Sequence, residues 1–280
     1  MIEIIAAGRS VSGRLRTENE DSYFLVLPSD LSRTDKKGHL IAIADGLGGH
    51  EAGQIASAAA LEGLVEAYYA STSPSRVEPA LQRAVQAANL RVHDQARRNP
   101  DYRGMQTTLS CVALAGASAF LAHVGDSRVY LLREGSLSQL TDDHSEAAEL
   151  VRLRLARPEL LADHPRRNVL TRTIGSNLLL RPDFHRLAVK PDDCFVLCTD
   201  GLWSEVSDEE IREVTSQQSP EAACDQLIEF QLGRASLDNA TVEVVKVLSV
   251  DDEPTEADNW LNSLVSRFAG PRSARNRGAT

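Results

Sequence analysis

Several ingredients are scarce in this sequence. Only 5% of its 280 residues are aromatic, four are cysteine, and Lys and Arg (30) are outnumbered by Asp and Glu (40), giving a net charge of −10. Cys111, Cys194, Cys198 and Cys224 contain no paired CxxC spacing, which argues against a zinc site or a disulfide framework and fits a reducing cytoplasm. Cys194 and Cys198, four apart in a strand-like run, read as buried thiols on one face. The missing basic excess, apart from a few terminal arginines, disfavours nucleic acid and anionic membrane as partners. No apolar run approaches the about 18 residues of a membrane span, and Met1 to Gly8 lack the regions of a signal peptide. With 42% hydrophobic and 25% charged residues, the composition is that of an ordinary soluble globular protein. At this length folding hides roughly three quarters of the unfolded chain's surface, so a core needs no structural metal, and any ion would serve chemistry.

Strand-like runs lie at Ser22 to Leu27, His39 to Ala44, Thr107 to Ala113, Ala119 to Val124, Arg128 to Arg133, Cys194 to Thr199 and Thr241 to Leu248. The fourth and fifth runs, Ala119 to Val124 and Arg128 to Arg133, flank a short Gly-Asp-Ser turn and predict an antiparallel meander. Helical spacing of Ala, Leu and Val marks Ala52 to Tyr69 and Arg76 to Arg97, with weaker segments at Ser145 to Leu155, Ser207 to Ser216 and Pro220 to Leu232. Helices segregated from antiparallel strands imply an α+β layered fold. After Val250 come acids at Asp251, Asp252, Glu253, Glu256 and Asp258, then Trp260, Leu261, Leu264, Val265 and Phe268 at helical spacing, then an arginine-containing tail. The expected organisation is a catalytic domain over 1–248 and, over 249–280, an acidic linker, a short amphipathic helix and a disordered end.

Acids sit at strand ends more often than a scattered surface would place them. Asp45, Asp126 and Asp200 each terminate an apolar strand, whereas Glu20 and Asp21 precede one and Asp238 precedes the last. In an antiparallel sheet the end of one strand lies beside the start of its neighbour, so all these sites can share one rim. Carboxylates crowded there repel one another unless a cation is bound. With neither Cys nor clustered His, Mg²⁺ or Mn²⁺ is the fitting ion, and two ions could share Asp45. Asp45-Gly46-Leu47-Gly48-Gly49-His50 forms a glycine-rich entry into a helix, where backbone can approach an ion or phosphate. Arg16 offers a bidentate fork for a phosphate, and Asp142 or Asp143 fits a helix N-cap.

Eight motifs in order then resemble the metal-dependent type 2C serine/threonine protein phosphatases, the bacterial branch above all. They are Arg16 to Asp21, Asp45 to Gly53, Gly104 to Thr108, Gly125 to Arg128, Leu140 to Ser145, Asn168 to Arg172, Asp200 to Trp203 and Asp238 to Thr241, within residues 5 to 248. The resemblance implies a four-layer α-β-β-α sandwich, two antiparallel sheets packed between helical layers, with a binuclear Mg²⁺/Mn²⁺ centre at one end. It further implies that Asp45 bridges the ions, that the Gly46 carbonyl, Asp200 and Asp238 complete the centre, and that either Glu20 or Asp21 contributes. Asp126 would hold a third, weaker ion. A metal-activated water would attack phosphorus while Arg16 neutralises the phosphoryl oxygens. At the position two residues after Asp45, where eukaryotic relatives often carry histidine, this sequence has Leu47, leaving His50 as the candidate general acid beside the alternative of a bystander. The segment from Glu146 to Arg167, the family's variable flap, is rich in Arg and Leu and lacks an evident glycine hinge.

The expectation is thus a monomeric cytoplasmic phosphatase in signal transduction, acting on phosphoserine and phosphothreonine of proteins opposite a partner serine/threonine kinase. Two other classes compete: a catalytically silent, phosphoprotein-binding regulatory relative, and a metal-dependent phosphodiesterase or nuclease. The full set of acids opposes the first, and the net charge opposes the second.

Overall fold

A computed structural model describes residues 2–14, 16, 18–25, 37–48, 52–70, 77–157, 164–234 and 236–250. His50 and residues 251–280, which include the expected amphipathic segment, lie outside the described residues.

Eleven strands are described: β1 Ile2–Val11, β2 Asp21–Leu25, β3 His39–Leu47, β4 Gln106–Thr107, β5 Leu109–Ala115, β6 Ser118–Val124, β7 Arg128–Arg133, β8 Ser136–Gln139, β9 Asp183–Ala188, β10 Cys194–Cys198 and β11 Ala240–Val250. The helices are α1 Ala52–Ala70, α2 Val77–Arg98, α3 Glu146–Arg152, α4 Asp200–Trp203, α5 Asp208–Gln217 and α6 Pro220–Gly233. One sheet has the order β1-β11-β10-β7-β8, the other β2-β3-β5-β6-β9 with β4 added beside β3. Every pairing is antiparallel.

Alternation along the strands builds three apolar layers. In β3, Leu40, Ala42 and Ala44 turn toward α1 and α2, while Ile41 and Ile43 turn between the sheets to meet Leu197, Val245 and Val247. On the other side Val196, Val242 and Val244 pack against Ile211, Leu227 and Ile228 of α5 and α6. The result is the α-β-β-α sandwich. Small residues bring α1 and α2 close: a Cβ on Gly63 would lie 3.1 Å from the Ala88 Cα. Ser207 and Glu210 form the reciprocal capping box that starts α5, and Ser219 with Pro220 starts α6. All four cysteines are buried and unpaired.

The expected meander is not formed. Although β6 and β7 are separated by three residues, they lie in different sheets, β6 between β5 and β9, β7 between β10 and β8. The Gly125–Ser127 turn therefore crosses the sandwich. Gly125 makes the crossing with φ +112°, in the left-handed region, and a Cβ there would lie 2.6 Å from the Thr108 side chain. Other differences are local: the helix expected over Ser145 to Leu155 ends at Arg152, and its cap is Ser145, which accepts from the Ala148 N–H, rather than Asp142 or Asp143. The last strand runs to Val250, two residues past the expected domain boundary. Among the described residues, no helix is long and apolar enough to cross a membrane.

Candidate metal centre

One end of the sandwich holds a cavity of about 250 Å³ walled by Arg16, Glu20, Asp45, Gly46, Asp126, Asp200 and Asp238, with Asn168, Leu170 and Asn239 alongside. Asp45 reaches it because β3 runs on past its buried stretch. Its backbone is fixed by β4 and the residue that links it to β5: Thr108 Oγ1 accepts from the Asp45 N–H at 2.8 Å, and Thr107 Oγ1 donates to the Asp45 carbonyl at 2.7 Å. Neither threonine carries charge, so the strand-end pattern did not single them out; their place in the Gly104 to Thr108 motif was the available signal.

Glycines let the acid-bearing segments touch. The Gly46 N–H donates to the Glu20 carbonyl at 3.1 Å, and a Cβ on Gly46 would lie 2.0 Å from the Gly53 carbonyl oxygen. Likewise a Cβ on Gly201 would lie 1.9 Å from the Asn239 carbonyl oxygen, so the start of α4, carrying Asp200, lies flush against the segment carrying Asp238. Asp200 and Asp45 are within hydrogen-bonding reach of each other. Asp238 is partly open and pairs with Arg16 at 2.8 Å; Arg16 also lies 3.5 Å from Glu20.

The structure separates the two neighbouring acids of the first motif. Glu20 lines the cavity. Asp21, opposite Asp45 in the β2–β3 register, is buried beneath it, its Oδ2 accepting from Thr199 Oγ1 at 2.8 Å and Thr241 Oγ1 at 2.7 Å. Asp126 sits 5% exposed on the crossing turn, its carbonyl accepting from Trp203 Nε1 at 3.0 Å.

Burial and mutual repulsion raise these acids. Asp45 is held well above the carboxylate range by burial and then by Asp21, Asp200, Asp126 and Asp238. Burial, then Asp200 and Asp143, does the same to Asp126. Asp21 is pushed up to about 7 by burial, against the two threonine hydrogen bonds, and Asp200 to about 6 by burial and Asp238. Glu20 is raised by burial despite Arg16. Such a set destabilises its own ionised form, and oxygen donors with no thiol or imidazole among the described residues of the wall fit a hard divalent cation. Among the described residues, no three Asp, Glu, His or Cys side chains already form a closed ligand set. The Arg16–Asp238 pair is the contact such an ion would compete with.

Of the flap arginines, Arg152 pairs with Glu149 and Arg166 with Glu146, each on exposed surface. Sequence reasoning missed Asn168 and Asn239 in the cavity wall. It also missed the bidentate Arg128–Asp143 pair at 3.0 and 2.8 Å.

Comparison with known proteins supplies the family. The chain is 34% identical over 244 residues to the protein phosphatase PhpP of Streptococcus pneumoniae, covering 86% of this chain and 96% of that protein. It is 36% identical over 253 residues to the serine/threonine protein phosphatase PstP of Mycobacterium tuberculosis, covering 89% of this chain and 46% of PstP. A crystal structure of PstP superposes with a TM-score of 0.79 at 33% identity, covering 89% of this chain and all of that one. The PstP catalytic domain in complex with two manganese ions gives 0.77 at 32% identity, over 89% of this chain and 100% of that one. The family model described as Protein phosphatase 2C matches residues 7–240. The chain belongs to the protein phosphatase 2C family.

Proposed function

We propose that this chain is a metal-dependent phosphatase of phosphoserine and phosphothreonine in proteins, working in the cytoplasm opposite a serine/threonine kinase. The observation that carries the reading is the polar cavity in which Asp45, Asp126, Asp200, Asp238 and Glu20 converge with Arg16 at its edge. Asp45, Asp200, Asp238, the Gly46 carbonyl and Glu20 would hold two Mg²⁺ or Mn²⁺ ions, and Asp126 a third and weaker one. When bound, the ions supply Lewis acidity toward phosphoryl oxygens and a nucleophilic water at neutral pH.

The chain's own groups account for the rest. Arg16, already forked between Glu20 and Asp238, can turn its guanidinium to a phosphate and orient it. Asp21 spends one oxygen on Thr199 and Thr241 and thereby ties β2 to β11 beneath the site. The departing serine or threonine oxygen needs a proton, and His50, outside the described residues, is the candidate acid.

The test is hydrolysis of a phosphothreonine peptide by the full chain with Mn²⁺. Chelation and Asp200→Asn should each abolish turnover, by analogy with the loss of roughly 10²–10³ when one electrostatic stabiliser is removed. Undiminished turnover in chelator would refute the metal reading, and tight peptide binding without turnover in the wild type would identify a silent relative.

A further inference from the structure

Two of the matching motifs, Leu140 to Ser145 and Asn168 to Arg172, contribute no acid to the cavity wall, yet they meet directly behind Asp126. His144, 3% exposed, grips the crossing turn twice: its backbone N–H donates to the Gly125 carbonyl at 2.7 Å, and the Gly125 N–H donates to its ring Nδ1 at 3.1 Å. An amide N–H can only donate, so Nδ1 is the accepting nitrogen and the ring proton sits on Nε2. The Nε2–H donates to Asp183 Oδ2 at 3.2 Å; Arg172 Nη1, itself only a donor, lies 3.1 Å from Nε2 without a hydrogen bond to that protonated nitrogen and donates instead to Asp183 Oδ1 at 2.7 Å. The carboxylate thus selects the tautomer that leaves Nδ1 free for Gly125. Burial keeps the imidazole neutral by lowering its pKa.

The turn needs holding. Gly125 occupies the left-handed region, and the chain on either side departs into different sheets. A second grip comes from Trp203, whose Nε1 donates to the Asp126 carbonyl at 3.0 Å and whose ring lies 3.6 Å from the Arg128 guanidinium. On the near side Ser127 Oγ and Thr108 Oγ1 are 2.7 Å apart, and Thr108 Oγ1 also accepts from the Asp45 N–H. The backbone around Asp126 is therefore fixed relative to Asp45, and its carboxyl is left to the cavity.

We infer that His144, oriented by Asp183 and Arg172, is a positioning residue that holds the Gly125–Ser127 turn with the Asp126 carboxylate in the cavity and so sets how tightly Asp126 retains a divalent cation. The inference rests on the proposed role of Asp126 as a metal holder.

Asparagine and glutamine separate the two ring nitrogens: His144→Asn keeps an acceptor near the Nδ1 position, whereas His144→Gln places its amide near Nε2. Mn²⁺ titration calorimetry on the full chain should find His144→Asn close to wild type. In His144→Gln and His144→Ala the weakest ion should bind roughly 10–100-fold less tightly, with the tighter ions retained. Hydrogen exchange at the Gly125 amide reads the clamp without any metal, and should be protected in wild type and His144→Asn and faster in the other two. Wild-type titration and Gly125 protection in His144→Gln would overturn the inference. So would a His144→Asn that behaves like His144→Ala. Asp126→Ala separates the two readings: if it binds as many ions as wild type, the metal role of Asp126 fails, while Gly125 exchange still reports on the clamp.

Discussion

Glu243 lies in the middle of β11, 0% exposed, and neither Oε1 nor Oε2 has a hydrogen-bond partner among the described residues. Alternation places it on the face of Val245 and Val247, between the sheets. Its cross-strand neighbours, Gly8 on β1 and Leu197 on β10, offer no polar side chain. Burial holds its carboxyl well above the ordinary 4.5, so the folded protein keeps a proton that the unfolded chain gives up. A neutral carboxyl left unpaired costs about 1–3 kcal/mol at any pH. Above about pH 4.5 a second cost accrues: the unfolded state binds fewer protons than the folded one, and stability falls by about 1.4 kcal/mol per pH unit until the folded group itself ionises. Glu243→Met, similar in length and apolar, should remove both terms. In urea titrations it should be more stable than wild type at all pH values, with a gap that widens as pH rises above about 4.5, by at most about 1.4 kcal/mol per unit while the folded carboxyl stays protonated. Glu243→Gln should lose only the pH-dependent part, because the amide stays unpaired. The cavity acids are common to all three proteins and cancel in the differences. A gap that does not widen with pH, or a methionine variant less stable throughout, would refute the reasoning.

The cavity acids lead to a related expectation for protein kept in chelator. With Asp21 raised to about 7 and Asp200 to about 6, their contribution is fully present below the unfolded values and lost as pH rises through the folded ones. The melting temperature should therefore fall between about pH 4 and pH 7, and Mn²⁺ should raise it most at the upper end; a rise with pH in chelator contradicts this. Gly53→Ala would put a Cβ 2.3 Å from Glu20 Oε1 and 2.9 Å from the Gly46 carbonyl oxygen. It should displace Glu20 and weaken Mn²⁺ activation roughly 10-fold, read as a shift in the metal concentration for half-maximal turnover. Ser207→Ala removes the hydroxyl half of the capping box and should cost about 1 kcal/mol in urea unfolding while turnover stays the same.

Acids at strand ends were legible because they border runs of apolar residues, and three of them are followed by glycine or asparagine, at Asp45-Gly46, Asp200-Gly201 and Asp238-Asn239. Those pairs are also where backbone meets backbone, so the local signal and the tertiary one coincide. Strand β1 was missed because Gly8 and Arg9 break its alternation, and its outer face is only half covered. Strand β9, Asp-Phe-His-Arg-Leu-Ala, is an edge strand with an exposed face and so has no apolar run to read. The β6–β7 spacing looks the same whether the turn stays in one sheet or crosses to the other; the crossing shows only in the pairing of β7 with β10 and β8, and His144 grips the turn that makes it. That grip was invisible because the residues that orient His144, Arg172 and Asp183, lie 28 and 39 positions away along the chain.

The antiparallel pairing of β1 with β11, from Ile2 against Val250 to Val11 against Ala240, bears on how the chain is made as well as how it rests. Strand β1 is synthesised before every other described strand, yet its sole neighbour in the sheet among the described residues is the last described strand to be synthesised. Closing a loop of that length is slow, and until it happens one edge of β1 has nothing to bond. Asp238, two residues before β11, arrives only with that closing strand. The acid cavity is therefore completed only once the segment carrying Asp238 has been made, and a nascent chain stalled before residue 238 carries Asp45, Asp126 and Asp200 without their partner.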